Sequence, residues 1–421
     1  MFDRDRWQEI YFTLRSNKLR TFMTAFGVFW GIFMLIVMMG SGNGLSNAIF
    51  DGFQDFATNS AFIWTRTTSM PYKGLPRGRR WMFNNDDMKA LKNNIPEIDL
   101  LAPRVQPRSG DGGNNVVRGI KTASYNIVGD YPDFFKIDPV DMISGREIND
   151  IDIAENRKVA VIGKRVRDEM FKPDENPIGE YLRISGVYFQ VVGVFEPKNK
   201  NMNFGGDKDQ TIVLPFTSLQ IAYNIGNQVH YFAVTAKKGH SVAKLEERCK
   251  QLIAERNKIH PDDKQAFGGF NLDTEFKKMS GLFTGIRILI WVVGIGTLLA
   301  GVIGVSNIML IVIKERTKEI GIQRSIGATP WRIINQIISE SVVLTAVSGM
   351  FGMAIGVFLL EVINRQIQNS GSEAEMFKNP GVDFNVGVTA LIILIVAGIF
   401  AGFIPAYKAV KVKPVEALRA E

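Results

Sequence analysis

One cysteine, Cys249, is too few for an intrachain disulfide or a multi-cysteine metal site, and the three histidines, His230, His240 and His260, lack the spacing zinc requires. No phosphate-binding Gly-x-x-x-x-Gly-Lys-Ser/Thr pattern occurs. The nearest Gly-Lys, Gly163-Lys164, is followed by Arg165 and has no glycine five residues before it. Nucleotide hydrolysis by that route is excluded. Neither a Gly-x-Ser-x-Gly turn nor a His-Glu-x-x-His helix is present, so protease and esterase chemistry have no support. No metal or cofactor is implied and no catalytic residue stands out.

Charge is missing locally as well. Residues 21–40, 288–313, 341–360 and 386–406 contain no Asp, Glu, Lys or Arg. Each run has the roughly 20 apolar residues that a helix needs to cross a hydrocarbon layer. Buried core helices are the other reading, but a soluble fold rarely uses four of this length without charge. The first run, behind a basic start, also fits a cleavable signal peptide; its length and long polar leader favour a retained span. Uncharged interiors offer no relay for ions or protons, which argues against an ion-coupled carrier. Glu340 and Glu361 bracket the third run, where they can reach headgroups or partner helices.

Lys and Arg gather in three short segments. Residues 1–20 hold Arg4, Arg6, Arg15, Lys18 and Arg20; residues 314–332 hold Lys314, Arg316, Lys318, Arg324 and Arg332; residues 407–421 hold Lys408, Lys411, Lys413 and Arg419. Residues 361–385 hold only Arg365 and Lys378. Short basic loops stay on the cytoplasmic side, so both termini are expected inside and the long stretch between the first two spans outside. The three basic segments supply +7 of the formal charge of +8. The outer domain is left close to neutral, which excludes a nucleic-acid partner.

Trp7, Ile10, Tyr11 and Leu14 recur at helical spacing among basic residues, as in a helix lying on the membrane surface against anionic lipid. Leu45, Ala48, Ile49, Phe53 and Phe56 continue an apolar helical spacing beyond the first run, and Phe276, Met279 and Phe283 do so before the second. These read as stalks. Between them a mixed α/β domain is predicted: strands at 61–67, 158–163, 211–214 and 231–237, a hairpin at 181–195 turning at Ser185-Gly186, and helices at 85–94, 164–171, 216–223 and 242–257. The first of those helices is capped by Asn84 or Asn85 and stopped by Pro96.

The fold class is thus membrane α-helical, with four transmembrane helices, plus a mixed α/β extracytoplasmic domain. In order, the parts are a cytoplasmic amphipathic leader helix (1–20), a span (21–40), a stalk (41–60), the outer domain (61–270) with an inserted subdomain at about 115–200, a stalk (271–287), a span (288–313), a cytoplasmic elbow (314–330), a span (331–360), a short outer loop (361–385), a span (386–406) and a cytoplasmic tail (407–421).

Inside the spans, small residues recur one turn apart: Gly27 and Gly31, Ala300 and Gly304, Gly352 and Gly356, Gly398 and Gly402. Helices in lipid associate through close approach, which small residues permit, within a bundle or across a dimer. The elbow is the most informative segment. Glu315 can pair with Lys318 across one turn, and Arg316, Ile320 and Arg324 share a helix face. Gly327 suits the position just past a helix end; Thr329 and Pro330 suit the start of the next.

At these residues the sequence resembles the MacB/FtsX class of ABC-transporter permeases, the type VII or mechanotransmission class. Ser306-Asn307-Ile308-Met309-Leu310, then Glu315-Arg316-Thr317-Lys318-Glu319-Ile320-Gly321-Ile322, Arg324 and Gly327-Ala328 look like its signature across the second span and coupling helix. Glu340-Ser341, Pro405-Ala406 and Pro414-Val415-Glu416-Ala417-Leu418-Arg419 match too. Weaker agreement lies in Asn17-Lys18-Leu19-Arg20-Thr21, Gly145-Arg146, Val159-Ala160-Val161-Ile162-Gly163, Pro177-Ile178-Gly179 and Val191-Val192-Gly193-Val194.

The resemblance implies a periplasmic-core type of outer domain and an ABC ATPase subunit acting in trans, since this chain begins almost at the membrane. That ATPase would dock on Glu315, Arg316, Glu319, Ile320, Gly321, Arg324, Gly327 and Ala328. A second permease subunit, identical or related, would pair with this one. Export with a periplasmic adaptor and an outer-membrane channel is the first function implied. FtsX-like activation of a cell-wall hydrolase and release of lipoproteins, as by LolC and LolE, are the alternatives.

Overall fold

The computed structural model describes residues 18–51, 53, 56–107, 115–198, 206–369, 377–382 and 384–411. The leader spacing at Trp7, Ile10, Tyr11 and Leu14 and the C-terminal motif at Pro414 and beyond lie outside these residues. The chain divides into two compact units, Phe50–Ser280 and a second made of residues 1–49 and 281–421.

In Phe50–Ser280 a mixed sheet of 12 strands carries the fold. Its order is Phe267–Asn271, Ser60–Thr65, Tyr231–Ala236, Ile98–Val105, Asn126–Asp130, Thr211–Pro215, Val159–Gly163, Val187–Pro197, Tyr181–Ile184, Asn115–Arg118 and Lys121–Ser124, with Val140–Gly145 beside Val187–Pro197. Val159–Gly163 is buried throughout and runs parallel to Val187–Pro197, which is why it reads as an unbroken apolar run instead of an alternating one. The hairpin turns where Ser185 and Gly186 both take positive φ, 48° and 85°, a twist that matches the strands it joins. Asn84 accepts the N–H groups of Asp86 and Asp87 while Asp87 accepts that of Asn84, and this reciprocal cap starts helix Asn85–Asn94. Strand Thr211–Pro215 pairs between Asn126–Asp130 and Val159–Gly163. The segment expected as an insertion therefore shares one continuous ladder with the rest of the domain.

Two segments singled out in the sequence meet here. Gly145 lies opposite Gly193, and a Cβ on either would run into the backbone of the other strand. Arg146 then grips Asp152 with two bonds of 2.6 and 3.0 Å. The interior also holds charge. Arg104 binds Asp130 through two bonds of 2.6 Å and lies 3.5 Å over the ring of Phe134. Lys208 pairs with Asp138 at 2.5 Å. Burial pushes both carboxyls above the usual range, and their basic partners pull against that shift. Cys249 is fully buried; burial, then the nearby Glu246, pushes its thiol up to about 12.

The helix expected to extend through the first stalk ends at Asp51. Phe53 and Phe56 are off it and buried, with Phe53 edge-on to Phe276 at 6.0 Å. Two tight turns, Phe53 N–H to Phe50 O and Phe56 N–H to Phe53 O, fold the chain so that these rings leave water.

Four described helices are long and apolar enough to cross a membrane: Lys18–Asp51, Leu272–Glu315, Pro330–Asn369 and Phe384–Val410. Leu299, Ile303, Phe351 and Phe403 are each more than half exposed, an arrangement suited to lipid and costly in water. The loop before the fourth helix is tied to the first: Asn43 donates to the Gly381 carbonyl at 2.9 Å, and Lys378 N–H donates to that of Gly44 at 3.0 Å.

Candidate functional site

The elbow is a separate short helix, Thr317–Ser325, between the second and third apolar helices. The break before it falls at Arg316, whose φ of −93° and ψ of 12° depart from helix. Thr317 contributes by turning its hydroxyl back to the carbonyls of Ile313 and Lys314. At the other end Gly327 takes φ of 102°, its N–H reaching the Arg324 carbonyl and that of Ala328 reaching Gln323. This is the Schellman arrangement, and glycine is there because a side chain would strain that conformation. The Thr329 carbonyl then accepts from Arg332 as Pro330 opens the third helix.

The sequence-predicted residues fall on two sides. Arg316, Ile320 and Arg324 turn inward as their shared face implies. Arg316 binds Glu340 at 3.2 Å, Ile320 and Gly321 are buried, and Arg324 donates to the Val410 carbonyl at 2.7 Å. Glu315 and Glu319 are exposed, as is Gly327. Glu315 and Lys318 lie on either side of the helix break, and Arg316 pairs with Glu319 at 3.2 Å.

Sequence reasoning missed the apolar part of the outer face. Ile322 is 43% exposed, Ile326 83% and Trp331 67%. The signal was present: Ile322 and Ile326 stand four apart, two positions out of step with Ile320, and so on the opposite side of the helix. Glu340 was legible as a lone acid at the edge of an apolar run, but its partner was not.

The small-residue pairs sort similarly. Gly27 and Gly31 pack on the second helix; Gly352 and Gly356 pack on Phe29, Phe33 and Ile36 of the first; Gly398 and Gly402 pack on Val342, Thr345, Ile338 and Ser341 of the third. Ala300 and Gly304 do not join this packing: Ala300 is exposed, and a Cβ at Gly304 meets nothing within 4 Å. The second helix instead offers Gly301 to Gly27 and Gly294 to Leu35. Gly294 and Gly301, seven apart, lie on one face of the helix, and the contact with the first helix runs along it.

Comparison with known proteins fits this layout. The MacB-like periplasmic core domain matches residues 21–252, more than half of the chain, and the FtsX-like permease C-terminal domain matches residues 291–414, elbow included. The chain belongs to the MacB/FtsX family of ABC-transporter permeases. It is accordingly an inner-membrane protein with a mixed α/β periplasmic core domain.

Among relatives of this permease, the pyoverdine export ATP-binding/permease protein PvdT of Pseudomonas putida is 29% identical over 96% of this chain and 58% of its own length. The macrolide export ATP-binding/permease protein MacB of Bdellovibrio bacteriovorus is 27% identical over 97% of this chain and 60% of its own. The permease chain thus spans about three fifths of the length of these curated relatives. The crystal structure of the periplasmic region of MacB from Actinobacillus actinomycetemcomitans aligns with 54% of this chain and 95% of its own, at 18% identity and a TM-score of 0.42.

Proposed function

We propose that this permease couples ATP hydrolysis by an ABC ATPase, supplied from outside these 421 residues, to movement of its periplasmic domain. The work done is export of an antimicrobial, peptide or other envelope molecule, a reading supported by relatives named for pyoverdine and macrolide export. Both termini and the elbow face the cytoplasm, following the basic segments. A second permease subunit completes the membrane part, and an adaptor and outer-membrane channel take the substrate onward.

The observation that carries this reading is the two-sidedness of the elbow. Its inner face is bound to the third and fourth helices, while Ile322, Ile326 and Glu319 are exposed, as are Glu315 and Trp331 at the adjoining ends of the second and third helices. Exposed apolar anchors rimmed by charge suit a protein partner. The test is co-purification of an ATPase with the tagged chain from its native membranes, repeated with Ile326→Asp and with Glu315→Lys/Glu319→Lys. Insertion is expected to be unchanged, and ATPase recovery to fall at least tenfold in both variants. Full recovery in both refutes docking at the elbow.

A further inference from the structure

We propose that Arg316 and Glu340 form a strap that passes motion of the elbow to the third apolar helix, with Arg324 doing the same for the fourth. This rests on the reading that the elbow receives the ATPase. The elbow is bounded by a break at Arg316 and by a left-handed glycine at Gly327. A nine-residue helix between two such joints can pivot on them, so a push delivered to it moves the bundle only if side chains fasten it.

The fastening is specific. Glu340 lies eleven positions into the third helix and keeps 8% of its side chain exposed; Arg316 keeps 23%. Glu340 adjoins a run of twenty uncharged residues, and a carboxylate there is expensive without a basic partner. The bond from Arg316 to Glu319, whose side chain is 66% exposed, is screened by water and holds little. The inner pair is therefore the one able to bear load. Arg316, Ile320, Gln323, Gln336 and Glu340 line one recess shared by the elbow and the third helix.

Arg324 completes the attachment at a different helix. Its guanidinium binds the carbonyl of Val410, the last residue of helix Phe384–Val410. Terminal carbonyls of a helix have no partner within it and carry partial negative charge, so a guanidinium is well matched to that end. The elbow is thus bound on its inner face at residues 316 and 324, two turns apart, to two different apolar helices. A displacement of the outer face is shared between both and not absorbed at the joints.

The test exchanges charges. Arg316→Glu, Glu340→Arg and the double exchange Arg316→Glu/Glu340→Arg are made in the full chain, purified with its ATPase into lipid vesicles. The periplasmic domain is reported by a fluorophore on Ile120→Cys, a fully exposed position, because the native Cys249 is buried. Glu340→Arg, outside the docking residues, is expected to keep the ATPase bound yet lower the ATP-dependent fluorescence change at least tenfold, Arg316→Glu to lower it as much, and the exchange to restore it. Glu340→Gln, which keeps the shape without the charge, is expected to reduce the response less than Glu340→Arg does. An undiminished response in both single reversals, or an exchange no better than either, overturns the strap. If no ATPase accompanies the unmodified chain, the coupling reading itself has failed.

Discussion

Gly352→Ala tests the packing of the first and third helices most directly. The added methyl would stand 2.5 Å from the Phe29 carbonyl oxygen and 3.2 Å from the Phe33 nitrogen. Both are backbone atoms and cannot swing aside, so the helices must part by roughly 1 Å, and a gap of about that size forfeits a quarter to a half of each contact's dispersion energy. Overpacking of this kind costs about 1–3 kcal/mol. Removing a glycine from a helix interior recovers about 1 kcal/mol in propensity. Gly304→Ala gains the same propensity with nothing within 4 Å of its methyl, so it serves as the control. The difference between the two variants isolates the packing cost at about 1–3 kcal/mol, or roughly 5- to 150-fold in an equilibrium constant. Sodium dodecyl sulfate titration of the purified chain in mild detergent, followed by far-ultraviolet circular dichroism, measures it. Equal midpoints for Gly352→Ala and Gly304→Ala would refute the reasoning.

The periplasmic domain supports two more predictions. Arg104→Met strands the Asp130 carboxylate in the core and should cost about 3–5 kcal/mol, whereas Arg104→Met/Asp130→Leu should recover most of that loss. Labelling of the buried Cys249 thiol in urea reads domain opening, and a double variant as unstable as the single contradicts the account. Burial pushes the Asp263 carboxyl up, but the Ser69 hydroxyl and N–H and the Met70 N–H outweigh it and hold it below the usual carboxylate range. A carboxyl held low binds fewer protons folded than unfolded, so its stabilisation is present above the unfolded pKa and fades as pH falls through the folded one. The unmodified chain should therefore lose more stability than Asp263→Asn between about pH 5 and pH 1. Parallel acid profiles would exclude that role.

The amino-acid sequence by itself determined the local elements. Uncharged runs long enough for lipid, the Asn84 cap, the Ser185-Gly186 turn and the Gly327 stop each act within a few residues, where side-chain chemistry and backbone preference suffice. Family membership was legible for the same reason, because its motifs are contiguous. Tertiary structure decided what met across distance. That Arg316 finds Glu340 and Arg324 finds Val410, that Gly301 and not Gly304 faces the first helix, and that Thr211–Pro215 threads between strands of the expected insertion all depend on how elements dock. A helical period leaves several rotations of a helix nearly equal when every face is apolar. Only the close contacts of packed neighbours choose among them.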